Sequence, residues 1–164
     1  MPPEGVLIIG YGNPLRGDDA AGPLAARRLA GFGFETIETH QLTPELAEPI
    51  AAAEIVFFLD ADAAVPAGEI CAQRVTASEA EPPLSFEHHS TPAGLLRLAA
   101  LAYRAAPEAW AIGLGARCFD LAEGLSRNAE RAVSRAVQEL PLLAHALVRP
   151  APALMPAFRG PQQI

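Results

Sequence analysis

The chain has 164 residues, a mass of 17.2 kDa and a formal net charge of −7. With 51% hydrophobic and only 19% charged residues, it is long and apolar enough for one domain with a real core, which excludes global disorder. All 12 basic residues are arginines and they form no basic block, so we expect no nucleic-acid partner.

Neither a membrane-spanning segment nor a signal peptide is recognisable in the sequence. The longest apolar runs, Val6–Ile9 and Ile55–Leu59, are too short to span a membrane. The first four residues have neither a basic region nor an apolar stretch typical of a signal peptide. We therefore expect a cytoplasmic protein with no membrane partner. Cys71 and Cys118 belong to no CxxC motif, and we expect both to be small buried hydrophobes rather than a disulfide.

The first half of the chain predicts strands alternating with helices. Gly5–Gly10 is a solid apolar run, typical of a strand buried on both faces. Asp18 to Phe32 has helical periodicity and begins with an acidic pair suited to a helix start. Glu35–Gln41 alternates apolar and polar residues as a strand does, and a short helix follows from Thr43 to Ala52 with proline in its first turn.

The second half continues the alternation. Ile55–Leu59 predicts a third strand, Gly68–Val75 a fourth and Ala109–Gly115 a fifth. An acidic, proline-containing loop over 76–87 is expected to be mobile, and a helix is expected over 91–104. Ser126 is expected to cap a final amphipathic helix that Pro141 should kink or end.

Helices between central strands predict an α/β fold, namely a three-layer α/β/α sandwich with a mostly parallel five-stranded sheet of the phosphorylase/hydrolase-like type. Residues 1–148 form the single predicted domain, and residues 149–164 form a proline-rich extended tail. Ligands of such sheets bind beyond the carboxyl ends of the strands, so the residues after strands one and three are the candidates for function.

The turn after the first strand runs from Gly10 to Asp19. It resembles a dinucleotide-binding G-x-G-x-x-G sequence, but Leu15 stands where the third glycine belongs. Asp18 and Asp19 would also repel a phosphate at the helix start. We therefore exclude a dinucleotide. One aspartate is explained as a helix cap, whereas the second is a candidate for chemistry.

Further candidates follow the third strand and precede the 91–104 helix. They are Asp60, with Asp62 two residues on, and the adjacent pair His88 and His89. Each is compatible with a merely structural role. Together, an aspartate from the first turn, one from strand three and a histidine would form a set of two oxygens and one nitrogen. Such a set suits a borderline metal such as nickel or zinc with open positions.

These motifs resemble those of the hydrogenase maturation proteases, the endopeptidases that trim the C-terminal extension of the nickel–iron hydrogenase large subunit. The family's opening G-x-G-N-x-L-x-x-D-(D/E)-x-x-G matches Gly10–Gly22, with Ala20 where glycine is usual. Four further segments agree in order. They are His40–Leu46, Leu59–Ala61 with the turn Pro66–Ile70, His88 with Pro92 and Leu95–Leu96, and Gly124–Ser126.

The resemblance implies a function and its residues. It assigns Asp19, Asp60 and His88 as the catalytic and metal-contacting set, with Asp62 and His89 as neighbouring alternatives. The four-residue spacing to Pro92 favours His88 over His89. The metal would be nickel carried by the substrate, with no tightly bound resting cofactor, and the partner would be the hydrogenase large-subunit precursor. We expect a monomer. A non-catalytic precursor-binding chaperone and a small-molecule metallohydrolase of the same topology are the alternatives.

Overall fold

The computed structural model describes residues 1–77 and 90–148. These residues form one five-stranded sheet with helices on both faces. The strands are β1 (Val6–Tyr11), β2 (Glu35–Thr39), β3 (Ile55–Asp62), β4 (Ile70–Val75) and β5 (Glu108–Gly115). The helices are α1 (Ala21–Ala30), α2 (Ala47–Ala52), α3 (Pro92–Tyr103) and α4 (Arg127–Val148), with 3-10 turns at Gly17–Ala20 and Pro44–Leu46.

The strand order across the sheet is β2-β1-β3-β5-β4. The first four of these strands are parallel, and β4 pairs antiparallel with β5 at one edge. β1 and β3 are therefore central neighbours, and their register pairs Gly10 with Leu59. This register brings the residues at the carboxyl ends of β1 and β3 side by side, which is where ligands of such sheets bind.

Two apolar layers hold the helices on the sheet. On one face, Ile8 and Phe57 pack with α1 and α4 through residues such as Leu29 and Val133. On the other face, a second buried cluster joins the sheet to α2 and α3, and it includes Ile9, Phe58, Ile50 and Leu95. Alternate strand residues enter opposite clusters, as the pleat of a strand requires. The predicted three-layer α/β/α sandwich with a mostly parallel five-stranded sheet is confirmed.

Several predicted boundaries were wrong in an informative way. β3 extends to Asp62, so Asp60 and Asp62 belong to the strand rather than to the loop after it. The α-helix expected from Asp18 begins only at Ala21, after a 3-10 turn that contains both aspartates. The final helix does not end at Pro141 but continues to Val148.

Core packing explains the continuation of α4 past Pro141. Ala144, one turn beyond the proline, is fully buried, and Leu143, Leu147 and Val148 pack against the same cluster. A proline inside a helix costs about 3 kcal/mol relative to alanine. Burial of these side chains supplies a stabilisation of comparable size.

The cysteines are free, as predicted, but their burial was misjudged. Cys71 is half-buried and Cys118 is exposed. Cys118 lies in the connection between β5 and α4, where its backbone amide rather than its thiol makes the important contact. Among the described residues, no helix has the length and apolar character needed to cross a bilayer.

Some expectations fall outside the described residues. They concern the histidine pair His88 and His89, most of the 76–87 loop, and the 149–164 tail. These remain predictions from the sequence.

Candidate functional site

The turn after β1 is shaped by Gly12, whose φ of +146° places it in a region that favours glycine. Its backbone N–H donates to the carbonyl of Thr39 at 3.1 Å, which ties the turn to β2. A Cβ at this position would lie 2.0 Å from the carbonyl oxygen of Asp19. Glycine is therefore required here because the turn folds back onto the segment that carries Asp19.

Asp19 is held by the backbone of this turn. The N–H of Asn13 donates to its Oδ2 at 2.6 Å, and the Asn13 side chain accepts from the N–H of Leu15 at 2.9 Å. Asn13 thus stabilises the turn with its side chain and fixes Asp19 with its amide, an Asx-type arrangement. Asp19 is half-buried. The expectation that one aspartate of the pair caps a helix is wrong, because the cap positions of the 3-10 turn and of α1 are Arg16 and Ala20, and neither start has a side-chain cap hydrogen bond.

Asp18 is fully buried and serves a different part of the fold. It accepts hydrogen bonds from the N–H groups of Arg117 and Cys118 at 3.1 and 3.0 Å, and from the N–H and hydroxyl of Ser126 at 2.7 and 2.8 Å. Burial alone would raise the pKa of Asp18, but these hydrogen bonds outweigh it and hold the pKa below its usual value. Asp18 therefore joins the first motif to the residues before α4.

Ser126 caps α4, as the sequence predicts. Its hydroxyl accepts from the N–H of Ala129 at 3.2 Å while donating to Asp18. The start of α4 is in this way attached to the turn that carries Asp19.

Asp60 lies near the carboxyl end of β3 and is half-buried. Burial and the negative charge of Asp19 raise the pKa of the Asp60 carboxyl to about 6, and Asp62 contributes in the same direction. Hydrogen bonds from the side chain of Tyr11 and the backbone of Ala61 oppose this rise. Asp60 and Asp19 are therefore close enough to repel each other when both are ionised.

The structure brings Asp19 and Asp60 together in one cleft of about 470 Å³. The other residues that line it are Tyr11, Asn13, Arg16, His40, Gln41, Leu42 and Ser90. Ser90 is the first described residue after the histidine pair, and its N–H donates to the carbonyl of Leu42 at 3.2 Å. His88 and His89 themselves lie outside the described residues.

A second cleft of about 320 Å³ lies on the other side of Asp60. Tyr11 and Asp60 line both clefts, whereas Asp62 lines only the second. Asp62 also accepts from the N–H of Ala64 at 2.7 Å and so stabilises the turn after β3. Of the two alternatives left open by the sequence, Asp60 is the one that shares a cleft with Asp19.

The described residues do not by themselves form a metal-binding cluster. Within 1–77 and 90–148, no three His, Cys, Asp or Glu side chains are close enough to hold a metal ion. Asp19 and Asp60 can offer two oxygen ligands to a cation that arrives with its other ligands already in place.

Sequence reasoning left Tyr11, Arg16 and His40 without a role, although all three line the cleft. The signal for Tyr11 was available, because it follows Ile9 by two positions and so faces the same side of the strand. Arg16 and His40 reach the cleft through the folding of two turns. No local pattern indicates this.

The fold and this cleft define a class of small α/β proteins with acidic residues at the carboxyl edge of the sheet. No family model and no curated protein matches the chain. Solved structures do. The NiFe hydrogenase maturation protease HybD from Thermococcus kodakarensis is 29% identical, with a TM-score of 0.66, over 85% of this chain and 98% of that one.

Two further structures share the fold at lower identity. The hydrogenase maturating endopeptidase HybD from E. coli is 18% identical, with a TM-score of 0.68, over 87% of this chain and 93% of that one. The maturation protease HycI from Thermococcus kodakarensis KOD1 is 24% identical, with a TM-score of 0.63, over 88% of this chain and 92% of that one. The chain is thus similar in sequence and fold to a solved hydrogenase maturation protease, and it shares its fold with two more.

Proposed function

We propose that this chain is an endopeptidase that removes the C-terminal extension of a nickel–iron hydrogenase large-subunit precursor after nickel insertion. Asp19, Asp60 and His88 would contact the nickel that the precursor carries. The partner would be that precursor, and no resident cofactor would be needed. The observation that carries the proposal is the pairing of Asp19 with Asp60 in one cleft of a fold shared with named maturation proteases.

Electrostatics supports a cation as the group recognised in this cleft. Asp19 raises the pKa of Asp60, which means that two carboxylates are held at a distance at which they repel. A divalent cation between them would replace that repulsion with attraction. The fold thus keeps a place for positive charge, and in the proposed reaction the charge comes with the substrate.

Selectivity for the nickel-loaded precursor follows from this arrangement. Without nickel, the precursor would have to approach two uncompensated carboxylates. With nickel in place, the same carboxylates bind it and bring the adjacent peptide bond into the cleft. Cleavage adds water across the peptide bond and gives a new carboxyl terminus and a new amino terminus.

The direct test is incubation of the full chain with a nickel-loaded precursor, followed by mass spectrometry. We expect a single cut with loss of the C-terminal peptide, and no cut in the nickel-free precursor. Stable binding without any mass loss would instead identify a non-catalytic chaperone. Hydrolysis of small esters or peptides without precursor cleavage would identify a small-molecule hydrolase.

Matched variants test the residue assignment. Asp60→Asn should abolish cleavage, whereas Asp62→Asn should retain most of it because Asp62 does not line the cleft of Asp19. His88→Ala should abolish cleavage, and His89→Ala should leave most of it. Cleavage retained by Asp60→Asn and lost by Asp62→Asn would show that Asp62, and not Asp60, is the functional carboxylate of β3.

A further inference from the structure

A single turn separates the cleft of Asp19 from a groove on its other side. Asn13 and Arg16 of this turn line the cleft, whereas Pro14 and Leu15 line the groove. The groove has a volume of about 480 Å³, and the rest of its lining comes from α1, from α4 and from the segments that precede these helices. A protein that reaches into the cleft therefore meets the groove one turn away.

The groove and its edge expose several leucines. Leu15 is 56% exposed, and Leu121, in the connection between β5 and α4, is 84% exposed. Leu24 and Leu125 pack partly on the core and also line the groove. We call these four side chains the leucine patch. A cluster of apolar side chains at the surface is typical of a site that binds another protein.

Backbone hydrogen bonds hold the two exposed leucines next to each other. The N–H of Ala122 donates to the carbonyl of Leu15 at 3.1 Å, and the N–H of Gly17 donates to the carbonyl of Ala122 at 2.8 Å. Arg16 and Ala122 are thus partners in a parallel bridge. Leu15 and Leu121 each precede one of these partners. The patch is therefore preformed, which reduces the conformational entropy that is lost when a partner binds.

Most of the charge around the patch is compensated within the chain. Of the three charged residues that line the groove, Arg27 pairs with Glu38 at 2.6 Å and Glu130 pairs with Arg28 at 2.6 Å. The third is Glu123. An apolar centre with a polar rim is the arrangement of a protein interface, and it favours a partner that presents an apolar surface over a charged ligand.

The size of a specific interface favours the partner that enters the cleft. Such an interface buries about 800 Å² on each protein. A cleft of about 470 Å³ has room for a metal centre and a short peptide segment, but it does not supply that area. A protein whose metal centre enters the cleft must therefore also rest on the surface around it. The leucine patch is an apolar part of that surface, one turn from Asp19.

We propose that the leucine patch is the docking surface for the folded body of the precursor and receives an apolar surface that lies beside the precursor's metal centre. This inference rests on the proposed function. It deepens that function because it adds a contact that holds the precursor without touching the metal or the peptide bond. The occupant is the precursor rather than a second copy of this chain, since the patch adjoins the cleft that the precursor enters.

The test replaces exposed leucines in matched pairs. The patch variant carries Leu15→Ser and Leu121→Ser, and the control variant carries Leu101→Ser and Leu142→Ser. Leu101 and Leu142 are similarly exposed, at 64% and 71%, but they line neither the cleft nor the groove. Because all four side chains are exposed, both variants should melt close to the wild-type temperature.

Cleavage of the nickel-loaded precursor gives the first measurement. The patch variant should raise KM by about ten- to a hundred-fold, the size expected when buried leucine contacts are lost, and the control variant should keep the wild-type KM. The value of kcat should change little, because a contact made equally in the bound state and in the transition state affects binding alone. An unchanged KM in the patch variant, or an equal rise in the control variant, would overturn the proposal.

Binding without cleavage separates this inference from the proposed function. Each protein then also carries Asp60→Asn, so that the nickel-loaded precursor stays intact during titration calorimetry. The affinity should fall about ten- to a hundred-fold in the patch variant and stay unchanged in the control variant. If the wild type does not cut the precursor, the proposed function fails, and these affinities alone decide the docking surface. Equal affinities, or no binding by any of the proteins, would overturn the docking surface.

Sedimentation of the chain alone tests the other occupant. We expect a monomer at the concentrations of the cleavage assay, for the wild type and for both variants. A wild-type dimer that the patch variant abolishes and the control variant keeps would assign the leucine patch to a second copy of this chain and would overturn the proposal.

Discussion

Adjacent residues of the first motif face different tasks. Asp18 is buried and saturated with hydrogen bonds, whereas Asp19 keeps one bond from the Asn13 amide and lines the cleft. A carboxylate with several donors is stabilised in its charged form, and one beside another carboxylate is not. Asp18 therefore serves the stability of the fold, whereas Asp19 belongs to the cleft. Substitution of the buried carboxylate should lower the free energy of unfolding, whereas substitution of a cleft carboxylate should not.

Asp18→Asn should destabilise the fold by about 1–3 kcal/mol at neutral pH, because an amide leaves several buried donors poorly satisfied. The pKa of Asp18 is lowered in the folded state, so its stabilisation is present above the pKa of the unfolded chain and is lost as pH falls through the folded value. The difference in free energy of unfolding between wild type and Asp18→Asn should therefore disappear at acidic pH. Urea unfolding at several pH values measures it. A gap that widens as pH falls would contradict the prediction.

Asp60→Asn should leave the free energy of unfolding unchanged or raise it by about 0–2 kcal/mol at pH 7.5, because it removes a half-buried charge that Asp19 repels. The effect is small because solvent screens the partly exposed carboxylate. The pKa of Asp60 is raised to about 6, so the wild type loses stability as pH rises from the unfolded value towards 6. The advantage of the variant should thus vanish near pH 4. Thermal melts across this range are the measurement. A loss of more than about 1 kcal/mol at pH 7.5 would indicate a structural role for Asp60.

At the scale of elements, α4 contains Pro141 in its interior, where proline disfavours the helix. The helix passes through Pro141 because the residues beyond it pack on the core. Local propensity and tertiary burial therefore oppose each other at this position, and burial prevails.

Pro141→Ala should raise the free energy of unfolding by about 1–3 kcal/mol, because a helix-interior proline costs about 3 kcal/mol and part of that is already relieved by local adjustment. Chemical denaturation of the variant measures the gain. Leu142→Ala, at the exposed next position of α4, is a control that should change the stability little. A loss of stability in Pro141→Ala would mean that the ring itself contributes packing that alanine cannot replace.

At the scale of the whole molecule, the site lies at the ends of two central, largely buried strands of the sheet. β1 and β3 are paired on both sides and are buried over most of their length, whereas β2 and β4 are edge strands with exposed residues. The two ends that present Tyr11 and Asp60 are thus held by the centre of the fold, which suits a site that must keep two carboxylates close together.

Hydrogen exchange should report this difference. Amides of β1 and of Ile55–Leu59 should exchange most slowly and approach the global free energy of unfolding, and those of β4 should exchange much faster. Exchange measured by NMR on the full chain gives both rates in one experiment. Equal protection of β3 and β4 would contradict the view that the site rests on a rigid centre.

The sequence by itself determined the layer architecture, the central strands and the expectation that one aspartate of the first turn and one after the third strand meet at the same edge of the sheet. Apolar runs such as Ile55–Leu59 and the glycine-rich turn are local sequence patterns. In a parallel sheet, such runs form buried strands, and the residues that follow them lie together at the carboxyl edge, where ligands bind. Only the tertiary structure decided which aspartate of each pair enters the cleft. Ser126 and Asp18 are 108 residues apart in the chain, and Tyr11 meets Asp60 only across a strand pair. Such contacts depend on register and packing over long separations, about which local periodicity carries no information.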